Sequence, residues 1–233
     1  MNIILIPGFW LTGDSWAPVT RVLEAAGHTV HPVTLPGKGP GEDTAGVGLR
    51  THIDTVTALV DSLEGEVVLV GHSGGGAIAY GVVDARPDRV TKVLYVDSGP
   101  LADGGVINDS FEASGGAVPL PDRSVFEQAE LTDMTDELWQ RFEAIAVPEP
   151  AGVATEQQRL SNERRYDVPA VVITNTMPEP LLRQFMEGGH PYVAELARAR
   201  SVRILELPTG HWPQLTKPDE LAAAVLDAVT DGH

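Results

Sequence analysis

The chain has 233 residues, of which 42% are hydrophobic and 21% charged, which suits one soluble globular core with room for a small insertion. Lys and Arg number 16 against 33 Asp and Glu, a formal net charge of −17, and such a surface repels phosphate backbones and argues against nucleic-acid partners. The absence of cysteine excludes disulfides, thiolate catalysis and Cys-based metal sites.

The chain opens on Ile3–Ile6, a short apolar run without a basic leader or a small-residue cleavage site, which argues against a secretory signal and for a cytoplasmic protein. Further apolar runs follow at Thr29–Leu35, Val67–Val70, Val93–Val96, Ala170–Thr174 and Val202–Leu207. Each is rich in Val, Ile and Leu and lacks a polar alternate face, the pattern of strands buried on both sides of a parallel sheet. Amphipathic helical stretches lie between them, at roughly 15–26, 49–63, 75–86, 179–198 and 218–229. This alternation predicts a doubly wound α/β domain of about six strands. Residues 101–165 break the rhythm. They contain no good strand, begin with a Gly-rich polar loop at Ala102–Pro121, continue with helical pattern over Phe126–Ile145 and break at Pro148-Glu149-Pro150. An insertion of that length predicts a helical cap or lid, with residues 1–100 and 166–233 forming the core; extra packing helices are the alternative. No run approaches the length of a membrane helix.

The segment Glu66–Val70 leads directly into Gly71-His72-Ser73-Gly74-Gly75 and then into Ala77–Gly81. Strand, sharp glycine turn and helix are the context that a G-x-S-x-G nucleophile elbow requires. The turn holds Ser73 in a strained conformation above the sheet edge. Gly71 and Gly75 leave room for it, and the helix dipole favours negative charge there. A phosphate-binding turn is the alternative, but the G-x-G-x-x-G spacing and a Walker lysine are missing.

A serine hydroxyl needs a base. Of the seven histidines, His211 is singled out, because Gly210-His211-Trp212-Pro213 follows the last strand on the same sheet edge as Ser73, where open α/β sheets bind ligands. His72 is expected to point away from the reacting face, His28 and His31 to flank an early strand, His52 to lie on a surface helix, His190 in a loop and His233 at the C-terminus. The acid that orients the base is Asp97, at the tip of the strand next to the nucleophile strand. Glu179 is the second candidate, and an Asp97 that merely caps its turn is the third reading. For an oxyanion hole, the backbone N–H groups of Gly74 and Phe9 are the candidates. Trp10 and Trp212 are candidates to line the pocket, with packing the alternative for each; Phe126, Trp139 and Phe142 fit the interior of the lid. No H-E-x-x-H or similar spacing indicates a metal site.

These residues resemble the α/β-hydrolase superfamily, and within it the small serine esterases related to plant methylesterases and hydroxynitrile lyases. The resemblance rests on Ile6-Pro7-Gly8-Phe9-Trp10 with Ser15-Trp16 and Leu23–His28, on Val68–Gly75, and on Gly210–Pro213 with Lys217–Leu221. It implies an α/β-hydrolase fold, mostly parallel, lacking the superfamily's first two strands, with a helical cap insertion and no cofactor. Relatives commonly carry His-Gly where this chain has Pro7-Gly8, and their acid commonly follows the strand at Ala170–Thr174, where the loop here, Thr174–Pro180, has no aspartate. The reading is an ester hydrolase acting on a small organic molecule through Ser73, His211 and Asp97. A lyase or other non-hydrolytic enzyme on the same scaffold, or a ligand-binding protein with lost turnover, are the alternatives.

Overall fold

The computed structural model describes residues 1–231; His233 lies outside the described residues. The strands are β1 (Asn2–Ile6), β2 (Thr29–Pro32), β3 (Val67–His72), β4 (Val90–Val96), β5 (Ala117–Val118), β6 (Glu149–Pro150), β7 (Ala170–Thr174) and β8 (Val202–Glu206). The helices are α1 (Ala17–Ala25), α2 (Leu49–Ser62), α3 (Gly74–Ala85), α4 (Asp136–Ile145), α5 (Ala151–Thr155), α6 (Glu179–Glu187), α7 (Ala194–Arg198), α8 (Pro213–Thr216) and α9 (Pro218–Thr230). Six strands form one sheet in the order β2-β1-β3-β4-β7-β8, and every pairing in it is parallel.

Alternation along the central strands explains the two-sided core. In β1, Ile4 and Ile6 face one side, with Val67 and Leu69 of β3 and with Ile53 and Val56 of α2. Ile3 and Leu5 face the other, with Val68 and Val70 and with Leu23 of α1 and Leu221 and Val225 of α9. Strands β1, β3, β4 and β7 are therefore apolar at almost every position. The edge strands β2 and β8 are only partly buried, and β2 stops at Pro32 rather than running to Leu35.

The chain turns from β1 outward to β2, then returns to place β3 on the other side of β1. The crevice beyond the C-terminal ends of β1 and β3 is thus a topological switch point. Register aligns four loops there. Ile6 pairs with Gly71, His72 with Val96, and Val96 with Ile173, so Gly8, Ser73, Asp97 and the loop after β7 emerge side by side.

Three sequence expectations need correction. The helix expected over 179–198 is two helices, because Gly188-Gly189 and Pro191 interrupt it; Gly189 takes a positive φ of 66°. Residues 101–165 do contain strand: β5 and β6 pair antiparallel. Helix in the Phe126–Ile145 stretch is confined to Asp136–Ile145, where the Thr135 hydroxyl caps it by accepting from the Leu138 N–H. The 101–165 segment rests on the sheet edge through a third apolar cluster, in which Trp139, Phe142 and Val153 pack on Trp10, Leu11 and Trp212.

Candidate active site

Ser73 alone makes the turn from β3 to α3, with φ 51° and ψ −126°, a region that L-residues rarely occupy and that costs about 1–3 kcal/mol. The surroundings hold it there. The Ser73 N–H donates to the Val96 carbonyl at 3.2 Å, and the Ser73 carbonyl accepts from the Ser98 hydroxyl at 2.6 Å. A Cβ on Gly71 would sit 2.5 Å from the Gly75 carbonyl oxygen, so the turn closes only without a side chain there.

The His211 Nε2 lies 2.8 Å from the Ser73 hydroxyl, and its Nδ1 lies 2.6 Å from an Asp97 carboxylate oxygen. A carboxylate on Nδ1 places the imidazole proton there and leaves the Nε2 lone pair facing the serine. The His211 loop is tied from three sides. Its N–H groups bond backward into the 101–165 segment, His211 to the Glu130 carbonyl at 2.8 Å and Gly210 to the Thr132 carbonyl at 3.0 Å. The His211 carbonyl accepts from His72 Nε2 at 2.7 Å. His72 therefore does turn from the Ser73 hydroxyl, but it braces the His211 loop.

The other Asp97 oxygen accepts from the backbone N–H groups of Asn175 at 3.0 Å and Thr176 at 2.9 Å and from the Thr176 hydroxyl at 3.0 Å. Burial pushes the Asp97 carboxyl up, yet the hydrogen bond and charge of His211 together with the two backbone donors outweigh it and hold the group below the ordinary aspartate value. The loop that lacks an aspartate thus supplies the donors that keep Asp97 charged. Glu179 is engaged elsewhere, its carboxylate accepting from Arg183 at 2.7 Å.

Beside Ser73 runs the loop after β1. A Cβ on Gly8 would lie 2.7 Å from the Ser73 Cβ, so only glycine admits this approach. The Phe9 ring covers Gly74, reaching within 2.8 Å of where a Cβ would stand. Among the described residues, no protein acceptor takes the N–H of Phe9. The loop is held from outside by Lys38, whose ammonium donates to the Gly8 carbonyl at 3.0 Å and to the Glu149 carboxylate at 2.5 Å. Both side chains are buried, at 1% and 2% exposure. Burial pushes the Glu149 carboxyl up, against the pull of Lys38 and of the Trp10 N–H.

Ser73, Gly74 and His211 open into a cavity of about 550 Å³, lined also by Phe9, Trp10, Phe111, Phe126 and Tyr192. Its size and aromatic lining suit a small organic molecule. Trp10 is in that lining, but Trp212 is not. The Trp212 indole is 1% exposed and fills the space among Phe126, Trp139 and Phe142, with ring centroids 5.0, 6.3 and 5.0 Å away. It packs the loop behind His211. Phe126 is shared between cluster and cavity, while Trp139 and Phe142 stay in the cluster. Among the described residues, no group of three His, Asp or Glu side chains could hold a metal ion, and no helix is long and apolar enough to cross a membrane.

Lys38, Glu149, His72 and Thr176 went unread in the sequence as site supports. A charged residue enclosed by turn formers was the available signal for the first two: Pro36-Gly37-Lys38-Gly39-Pro40 and Pro148-Glu149-Pro150. His52, expected on a helix surface, is fully buried and bonds the Pro36 carbonyl at 2.9 Å. Burial pushes His52 down to about 4 and His72, with the nearby His211 charge, to about 3. Both are neutral in the folded chain, whereas the unfolded chain protonates them near 6.5. The unfolded state therefore binds more protons below that pH. Stability is fully present above it and is lost as the pH falls, with a slope approaching about 1.4 kcal/mol per pH unit for each histidine. Thermal melts from about pH 7 to about pH 4 are expected to show a falling Tm, and His52→Gln to flatten the fall. A Tm unchanged over that window would refute this assignment.

The alpha/beta hydrolase family matches this chain over residues 3–224, and the chain belongs to that family. Among its relatives, a carbendazim hydrolyzing esterase of Nocardioides sp. is 34% identical over 42% of this chain and 41% of its own length. A pyrethroid hydrolase of Sphingobium wenxiniae is 25% identical over 97% of this chain and 86% of its own. Among solved structures, an extracellular α/β-hydrolase from a Paenibacillus species superposes with a TM-score of 0.79 at 23% identity, covering 99% of this chain and 100% of that one. A methylesterase from Arabidopsis superposes with a TM-score of 0.77 at 18% identity, covering 99% of both. These structural likenesses concern the fold.

Proposed function

We propose that the chain is a serine carboxylesterase acting on small organic esters. The observation that carries this is the unbroken relay from Ser73 through His211 to Asp97, at 2.8 and 2.6 Å, opening into an apolar cavity of about 550 Å³. The names of its relatives, a carbendazim hydrolyzing esterase and a pyrethroid hydrolase, support ester hydrolysis as the reaction.

In this reading His211 Nε2 takes the Ser73 proton while the Ser73 oxygen attacks the ester carbonyl. The oxyanion that forms is met by the N–H groups of Gly74 and Phe9. Asp97 stabilises the imidazolium and does not itself take the proton. The imidazolium then protonates the departing alkoxide, leaving an acyl-Ser73. Water, deprotonated by His211, attacks the acyl carbon, and the carboxylic acid leaves as Ser73 recovers its proton. No cofactor enters these steps. Residues 101–165 act as the cap, because they roof the cavity with Phe111 and Phe126 and anchor the His211 loop.

A fluorophosphonate probe tests it. Peptide mapping by mass spectrometry is expected to find the phosphonyl adduct on Ser73, and product analysis to find acid and alcohol in equal amounts from a short-chain ester. An unmodified Ser73 in fully folded protein would remove the nucleophile from the proposal.

A further inference from the structure

The loop after β1 has a device behind it that the relay does not use. Lys38 and Glu149 are 111 residues apart in the chain and meet at 2.5 Å, both almost wholly buried. Such a pair is a poor choice for stability alone. Desolvating two charges is costly, and an apolar pair of the same volume is often as stable or more so. What an apolar pair does not supply is a donor for the Gly8 carbonyl, which Lys38 reaches at 3.0 Å.

That carbonyl is joined to the group that matters. The Gly8 C=O and the Phe9 N–H belong to one planar trans peptide, the chain having no cis bonds among the described residues, so they point in opposite directions. Whatever grips the carbonyl aims the N–H. Two residues on, the loop is also held from behind: the Trp10 carbonyl accepts from the Val147 N–H at 2.9 Å, the Trp10 indole N–H donates to the Val118 carbonyl at 3.2 Å, and Trp10 itself sits at φ 61°. The loop's own contribution is weak, a single 3.4 Å contact from the Leu11 N–H to the Gly8 carbonyl.

We propose that Lys38, neutralised by Glu149, is a positioning residue that orients the Gly8–Phe9 peptide so that the Phe9 N–H serves as the second oxyanion donor. The inference rests on the serine-esterase reading above. Lys38 is not among the residues that line the Ser73 cavity. It acts through one rigid peptide plane, and Glu149, beside the Val147 and Val118 contacts, makes the aim of that plane depend on the 101–165 segment. An oxyanion donor is worth about 10²–10³ in rate only when it is placed to within a fraction of an ångström.

The test is the double variant Lys38→Met/Glu149→Leu, which removes the pair without leaving either charge buried alone. It is expected to remain folded with a modestly lowered Tm and to keep a KM within about threefold, while kcat falls by about 10²-fold. Its affinity for a trifluoromethyl ketone, which binds Ser73 as a tetrahedral oxyanion, is expected to fall by the same factor. Lys38→Met alone is expected to lose both Tm and kcat, because it strands the Glu149 charge. A folded double variant with wild-type kcat and wild-type trifluoromethyl ketone affinity overturns the inference, as does one in which KM rises while kcat holds. Failure of the underlying reading looks different: the wild type itself would neither hydrolyse esters nor label at Ser73.

Discussion

Ser73→Ala is expected to lower kcat for a short-chain activated ester by about 10⁶-fold, the loss seen when a serine hydrolase loses the nucleophile of its triad. The physical reason is that one atom is lost and nothing stands in for it. In the proposed reaction the Ser73 oxygen forms the covalent bond, and its position is set by a backbone turn at φ 51° that alanine occupies equally well. The hydroxyl's contact in the folded chain is with His211 at 2.8 Å, so its removal leaves the turn, the Ser98 contact and the glycine packing in place. Folding is therefore expected to be unaltered, and KM to stay near wild type, since the cavity wall is unchanged. The residual rate reflects water attacking a substrate already held near Gly74 and Phe9. Initial rates with p-nitrophenyl acetate, paired with circular dichroism and a melting curve, provide the check. A folded Ser73→Ala protein that keeps more than about a tenth of wild-type kcat sinks the nucleophile assignment.

Asp97→Asn is expected to cost about 10⁴-fold in kcat, whereas Glu179→Gln changes it by less than about twofold. The asymmetry follows from hydrogen-bond bookkeeping at the carboxylate. One Asp97 oxygen accepts from the Asn175 and Thr176 N–H groups, so an asparagine must turn its carbonyl oxygen toward them. Its amide nitrogen then faces His211 Nδ1 and donates to it. The imidazole proton is driven to Nε2, which can no longer accept from Ser73. The base is present in the wrong tautomer. Glu179 lies at the start of α6 with its carboxylate on Arg183, and its loss leaves the His211 ring untouched. Steady-state kinetics of the two variants, measured side by side, decide the acid. Loss of turnover in Glu179→Gln alone would reverse the assignment.

The sheet and the elbow were legible because their causes are local. A run such as Ile3–Ile6, apolar on both alternations, has one comfortable place in a fold, the middle of a sheet covered on both faces. The turn at Gly71–Gly75 needs glycine where a Cβ would strike the next carbonyl, and that need is written into five consecutive residues. His211 was legible by its place after the last strand. The break at Gly188–Pro191 is hidden in the sequence, because helical periodicity continues across it and masks two adjacent glycines. The two-residue pairing of β5 with β6 is too short to leave a period at all.

By itself, then, the amino-acid sequence determined the doubly wound sheet, the strained position of Ser73 and the arrival of His211 on the same edge. Each depends on residue types within a few positions of one another. Only the tertiary structure decided that Asp97 rather than Glu179 meets His211, because that choice rests on the register of β4 against β3 and β7. It also turned the Trp212 indole into the cluster behind His211, where neighbours from Phe126 to Phe142 fill the space. And it brought Lys38 and Glu149 together behind the Gly8 carbonyl. Two charges so far apart in the chain carry no local trace of their meeting, since what selects their partners is the burial they share once the 101–165 segment has closed over the sheet edge.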